Sequence, residues 1–197
     1  MMRLLFAIIL LSILPVDGFS QLSKEDYDFP VYTWDEAIGA DYDTIYAITF
    51  AKQKLKTLPR ELLRFQELIY LDLEKNKLID LPQKLDTLKN LEYLNISKNK
   101  FTRLPYVISR LYKLEYLIAS RNQIEKIPNT IEYCTELKKI DLWDNPISSI
   151  PNSFFTLSNL SSLDLSGIRF NRKSHKKITE AFGHINLQID APCDCMD

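Results

Sequence analysis

Five prolines at a constant step, Pro59, Pro82, Pro105, Pro128 and Pro151, constrain this chain more than any other feature. The leucines Leu68, Leu91, Leu114, Leu137 and Leu160 keep the same step of 23 residues. Between these markers LIYLDLEKNKLIDLP, from Leu68 to Pro82, returns as LEYLNISKNKFTRLP, LEYLIASRNQIEKIP and LKKIDLWDNPISSIP. Self-similarity at a fixed period of this length means a solenoid. One unit is too small to bury its own apolar face, so it buries that face against its neighbours.

Each column of the repeat has a physical task. Along LIYLDLE, successive side chains point to opposite faces of a strand, so Leu71 and Leu73 go inward while Tyr70, Asp72 and Glu74 go outward. The same parity sends Leu94 and Ile96, Leu117 and Ala119, Ile140 and Leu142, and Leu163 and Leu165 to the core. Asn76, Asn99, Asn122 and Asn145 follow where the chain turns away from the strand. A side-chain amide there both donates to and accepts from backbone that would otherwise be buried without partners, so these residues are expected to form a structural ladder. The proline of each Leu-Pro step suits the first position of a short helical turn. Leu85 with Leu88, and Ile108 with Leu111, have the spacing that brings one helical face back to the core. One strand on one side of every unit and a bulkier helical turn on the other predict a short horseshoe with a concave parallel sheet, about six strands plus terminal caps.

The pattern L-x-x-L-x-L-x-x-N-x-L-x-x-L-P resembles the leucine-rich repeat family in its 23-residue form. The resemblance implies an α/β solenoid that acts as a recognition scaffold without chemistry of its own.

Met1–Ser20 reads as a secretory signal: Arg3 precedes an apolar run from Leu4 to Leu14, and Gly18 and Ser20 place small residues before a cleavage point at Gln21. The run is shorter than the roughly 20 residues of a membrane span, so export is expected, with retention as an anchor the alternative. Residues 21–44 form an N-terminal cap, in which Thr33 and Glu36 have capping-box spacing ahead of a short helix from Trp34 to about Ile38. This resembles the N-terminal caps of bacterial leucine-rich repeat proteins. Residues 45–167 hold five full repeats and a partial sixth, the first with Gln53 and the sixth with Ile168 in the asparagine column. Residues 168–190 supply a C-terminal cap, a helix ending at Gly183 and a strand in which Ile185, Leu187 and Ile189 alternate with polar residues. Residues 191–197 are a tail.

Several functional classes lack support. A net charge of -1 gives no global reason to bind nucleic acid. His175 and His184 sit in no motif with a nucleophile, and the four glycines make no phosphate loop, so no enzymatic activity and no cofactor is expected. Cys134 falls in the apolar column of Phe65, Leu88, Leu111 and Leu157 and reads as a buried thiol. Cys193 and Cys195 are too few for a zinc site. They can bridge locally, stay reduced or join another chain.

The outward strand columns carry the functional signal. Tyr70, Tyr93 and Tyr116 stand on adjacent strands about 4.8 Å apart, with Ile118 and Trp143 extending the stripe diagonally. Aromatic side chains with a polar handle are enriched at binding interfaces, so a protein or peptide partner is expected here, with Asp72 and Asp141 as the polar rim. Arg172, Lys173, Lys176 and Lys177 on the C-terminal helix form a weaker alternative site for an anionic glycan or lipid, as an envelope or cell-surface structural protein would need.

Overall fold

An alternating apolar segment of seven residues, closed by a turn residue, leaves each unit room for one short strand. The computed structural model describes residues 29–194. The expected signal segment Met1–Ser20, residues 21–28 of the cap, and Cys195 with the rest of the tail's end lie outside them. The described residues form a single open parallel sheet in chain order: β1 (Tyr32–Thr33), β2 (Ala47–Thr49), β3 (Tyr70–Asp72), β4 (Tyr93–Asn95), β5 (Tyr116–Ile118), β6 (Lys139–Asp141), β7 (Ser162–Leu165) and β8 (Asn186–Ile189). Strands β2–β7 belong to the six repeats. The N-terminal cap adds β1, which the sequence reading missed, and the C-terminal cap adds β8. Equivalent residues face each other, Tyr70 beside Tyr93 and Tyr93 beside Tyr116.

The return side of each unit is a 3-10 turn: Arg60–Arg64, Gln83–Thr87, Tyr106–Arg110, Asn129–Tyr133 and Asn152–Thr156. The tighter 3-10 turn suits segments this short. The proline stands one position earlier than expected, as the extended residue before the turn, with φ of -62° at Pro82 and -69° at Pro128. Its fixed φ suits that conformation, and its missing N–H deprives no partner.

Between sheet and turns lies one continuous core. Leu71, Leu73, Leu94, Ile96, Leu117, Ile140 and Leu142 are buried in it, against Leu85, Leu88, Ile108, Leu111, Ile131 and Cys134. Each buried leucine contributes about 1.5–3 kcal/mol relative to exposure, so one polar substitution in these columns disturbs two neighbouring repeats as well as its own.

Both ends are closed by aromatic side chains. Helix α1 (Trp34–Ala37) starts where Glu36 Oε2 accepts a 2.8 Å hydrogen bond from the Thr33 backbone N–H. Its Trp34 stacks on Phe50 at 5.0 Å and meets Phe65 edge-on at 6.0 Å. At the far end α2 (Arg172–Phe182) is capped by Asn171, whose side chain accepts from Ser174 N at 2.8 Å. Phe182 packs on Phe154 and Phe155 at 5.9 and 5.5 Å. Gly183 ends this helix without a left-handed conformation, with φ of -64°. Glycine is required there because a Cβ would stand 2.5 Å from the Thr179 carbonyl oxygen.

Candidate functional site on the concave face

The outward columns of β2–β7 converge on the concave face, and the structure gives them unequal surroundings. Tyr70 and Tyr93 stack nearly parallel at 4.3 Å, and Tyr116 follows Tyr93 at 6.4 Å with a tilt of 34°. The stripe expected from parity is therefore formed. It is not open along its length. Ala47, Tyr70, Tyr93 and Ile118 make a second apolar cluster, against which Phe29, Val31 and Tyr116 pack. Ile118, expected at the surface, retains 2% exposure, and Tyr93 retains 3%. Phe29 and Val31 of the N-terminal cap pack against this cluster, beside the edge where β1 pairs with β2. Burial and the neighbouring Asp72 push the Tyr70 hydroxyl up to about 12. Trp143, just past β6, remains exposed at 36%, with the Arg121 guanidinium 4.3 Å over its ring. Beside this pair lies a shallow depression lined by Asn99, Arg121, Gln123, Asp144, Pro146 and Gly167.

The second outward column has a backbone task. Thr49 Oγ1 accepts from Ala51 N at 3.1 Å, Asp72 from Glu74 N at 2.9 Å and Asn95 from Ser97 N at 2.9 Å. Asp141 accepts from Trp143 N at 2.9 Å and Asp164 from Ser166 N at 2.8 Å. Each residue thus closes its own two-residue turn at the strand end. The open polar rim assigned to Asp72 and Asp141 needs correction: Asp141 is 5% exposed, and both side chains are occupied with turn and cross-strand bonds, including one to Asp72 from Thr49 Oγ1 at 3.1 Å. Burial raises both carboxyls above the ordinary range. The hydrogen bonds from Glu74 N and Thr49 oppose it at Asp72, and those from Trp143 N and Ser120 oppose it at Asp141. Ile118 alone in this column of the repeat strands cannot accept a hydrogen bond. The signal for this ladder was present in the sequence as Thr, Asp, Asn, Asp and Asp at one position. Parity reasoning assigned those residues to solvent instead.

Behind the strands the asparagines bridge repeats. Asn99 Nδ2 donates to Leu73 O at 2.9 Å and Ile96 O at 3.0 Å, while its Oδ1 accepts from Leu78 N at 3.0 Å. Asn76, Asn122 and Asn145 repeat the arrangement, accepting from Leu55 N at 2.9 Å, Phe101 N at 3.2 Å and Ile124 N at 3.0 Å. Cys134 is a buried free thiol whose Sγ–H points at Ile108 O, 3.5 Å away, and burial pushes its pKa to about 12. Cys193 is disulfide-bonded.

The basic C-terminal helix is partly neutralised. Arg172 pairs with Asp194 at 2.6 Å and Lys176 lies 3.8 Å from Glu180. Lys177 stands 4.4 Å over the Phe155 ring and donates to Asn152 Oδ1, and neither it nor Lys173 has an ion-pair partner among the described residues. No helix of the described residues is long and apolar enough to cross a membrane, and no group of three or more His, Cys, Asp or Glu among them could hold a metal ion.

The family model described as "Leucine-rich repeat region" matches residues 50–187. No curated protein sequence matches the chain. The fold is similar to that of the leucine-rich repeat protein LIC12759 of Leptospira interrogans, with a TM-score of 0.56 and 26% identity over 70% of this chain. That match spans only 41% of the Leptospira chain. That family model covers well over half of the chain, and the chain belongs to the leucine-rich repeat family.

Proposed function

We propose that the protein is an exported binding module that holds a protein or peptide on its concave face. Members of this family generally serve as non-enzymatic binding scaffolds, and that coarse role follows from membership. The observation that carries the finer reading is Ile118. Five of the six repeat-strand residues in its column accept a turn hydrogen bond, and the fold itself would accept Asp or Asn there. An isoleucine gives up that bond and instead packs in the cluster that supports Tyr93 and Tyr116. Tyr116 and Trp143 form the accessible part of the site, and Tyr70, Tyr93 and Ile118 form its floor. Export rests on the reading of Met1–Ser20 as a signal.

The test is capture of a native partner from the extracellular or periplasmic fraction, followed by affinity measurements with purified components. Truncating a central aromatic at an interface costs about 2 kcal/mol or more, a loss of roughly thirtyfold. Tyr116→Ala and Trp143→Ala are expected to lose that much affinity while their thermal midpoints stay close to the parent's. Unchanged affinity in both, with loss in a Lys173/Lys176/Lys177 triple alanine variant, moves the site to the C-terminal helix and favours anionic glycan or lipid as its ligand.

A further inference from the structure

The loop that follows each repeat strand carries two exposed columns that flank the buried asparagine. The first reads Lys52, Lys75, Lys98, Arg121 and then Asp144 and Gly167. The second reads Lys54, Lys77 and Lys100, then Gln123, Pro146 and Arg169. Adjacent repeats hold these columns in register by backbone bonds, from Lys75 N to Ser97 O at 3.0 Å, Lys98 N to Ser120 O at 2.9 Å and Lys100 N to Leu78 O at 2.9 Å. Neighbouring cations in each row therefore follow the strand spacing of about 4.8 Å. Seven positive side chains run along one rim over the first four repeats; past them Arg169, in the sixth, is the one further cation in these columns. Two ion pairs interrupt them, Lys98 with Glu74 at 2.6 Å and Arg121 with Asp144 at 3.8 Å. Lys52, Lys54, Lys75, Lys77 and Lys100 form no salt bridge with a described residue.

The backbone does not ask for lysine here. In the first column φ is positive in every repeat, at 63° for Lys52, 56° for Lys75, 54° for Lys98 and 53° for Arg121. Left-handed backbone favours Gly, Asn or Asp, which the last two repeats supply as Asp144 and Gly167, and costs other residues about 1 kcal/mol or more. The first four repeats carry that cost to place a cation at each step. Like charges in a row also repel one another. Both costs point to a ligand that the row neutralises.

We propose that this rim binds a linear acidic polysaccharide carrying carboxylate or sulfate groups, laid along the repeat axis. Six of the seven cations are lysine, a point charge that meets irregularly placed anions, whereas ordered phosphates favour the planar fork of arginine. Among the described residues no aromatic side chain stands between the lysines of either row, so a single-stranded nucleic acid finds no stacking platform along it. The rim adjoins the concave face at Arg121, which lies over Trp143, and its test leaves Arg121, the concave face and the C-terminal helix unchanged.

The full-length protein is titrated with polygalacturonate, which carries carboxylates, and with heparin, which carries sulfates, at about 50 mM and 200 mM salt. A Lys75→Gln/Lys77→Gln/Lys100→Gln variant is compared with a Lys84→Gln/Lys89→Gln/Lys113→Gln control of equal charge. The rim variant is expected to bind at least one of the two polymers about tenfold more weakly, with a shallower salt dependence, and the control to match the parent. Whichever polymer binds identifies the anion. Lys75→Gly adds a signature that general destabilisation cannot mimic: weaker polymer binding with a thermal midpoint equal to or above the parent's. Equal loss in both triple variants, or no binding of either polymer at low salt, overturns the proposal. Tighter binding of a thymidine 20-mer, or of anionic phospholipid vesicles, than of both polysaccharides overturns it as well.

Discussion

Replacing Asn99 with alanine isolates what the asparagine column contributes. The substitution removes the acceptor for the Leu78 N–H at 3.0 Å and the donor to the Leu73 and Ile96 carbonyls. Leu78 is fully buried, so no water can replace the lost acceptor. An unsatisfied buried group costs about 1–3 kcal/mol. With the N–H orphaned outright and the carbonyls deprived of one partner, the total is about 2–4 kcal/mol. At a urea dependence of about 2 kcal/mol per molar, the midpoint falls by about 1–2 M. Asn76→Ala has a smaller effect, about 1–2 kcal/mol, because its donor Leu55 is only partly buried and water can reach it. Lys100→Ala, on the neighbouring surface, stays within about 0.5 kcal/mol. The assay is urea denaturation followed by far-UV circular dichroism. A lowered slope in Asn99→Ala would show that the solenoid separates at the third repeat. Equal midpoints for all three variants would refute the reasoning.

The Cys134 thiol, buried and lifted to about 12, is expected to resist a thiol reagent at pH 8 in the native protein and to react at once after denaturation; rapid native labelling contradicts the burial of its column. Asp141 titrates higher in the folded chain than the ordinary 3.8 because it is buried, so its contribution to stability is fully present below that value and is lost as pH rises through the folded value. Asp141→Asn keeps an acceptor for Trp143 N, as Asn95 does for Ser97 N, and removes the titration. Its stability relative to the parent is therefore expected to rise between about pH 4 and neutrality, and a difference that stays flat over that range removes the burial argument.

The repeat could be read from the sequence because it is built from local rules. Strand parity places Leu71 and Leu73 inward whatever surrounds them, and the constant step of Pro59, Pro82, Pro105, Pro128 and Pro151 sets the unit length before any contact is known. The asparagine column could be read for the same reason, since a turn at the edge of a core needs an amide there. The candidate site could be read only in part. Tyr70, Tyr93 and Tyr116 were placed on one stripe correctly, because register between identical units leaves no other pairing.

What tertiary structure alone decided is exposure and backbone strain. Phe29 and Val31 lie in a segment without repeat columns, and nothing local in it shows that they pack against the cluster of Tyr93 and Ile118. Contact between segments far apart in sequence set that burial. The left-handed conformation of Lys75 and Lys98 is of the same kind. No lysine prefers it in isolation, and each is held there by its N–H bonding to a carbonyl of the next repeat, Ser97 O or Ser120 O. The sequence determined the unit and its period through short-range sterics and hydrophobic pattern. The stack decided which outward side chains meet solvent and which backbones bend, because both depend on neighbours that only assembly supplies.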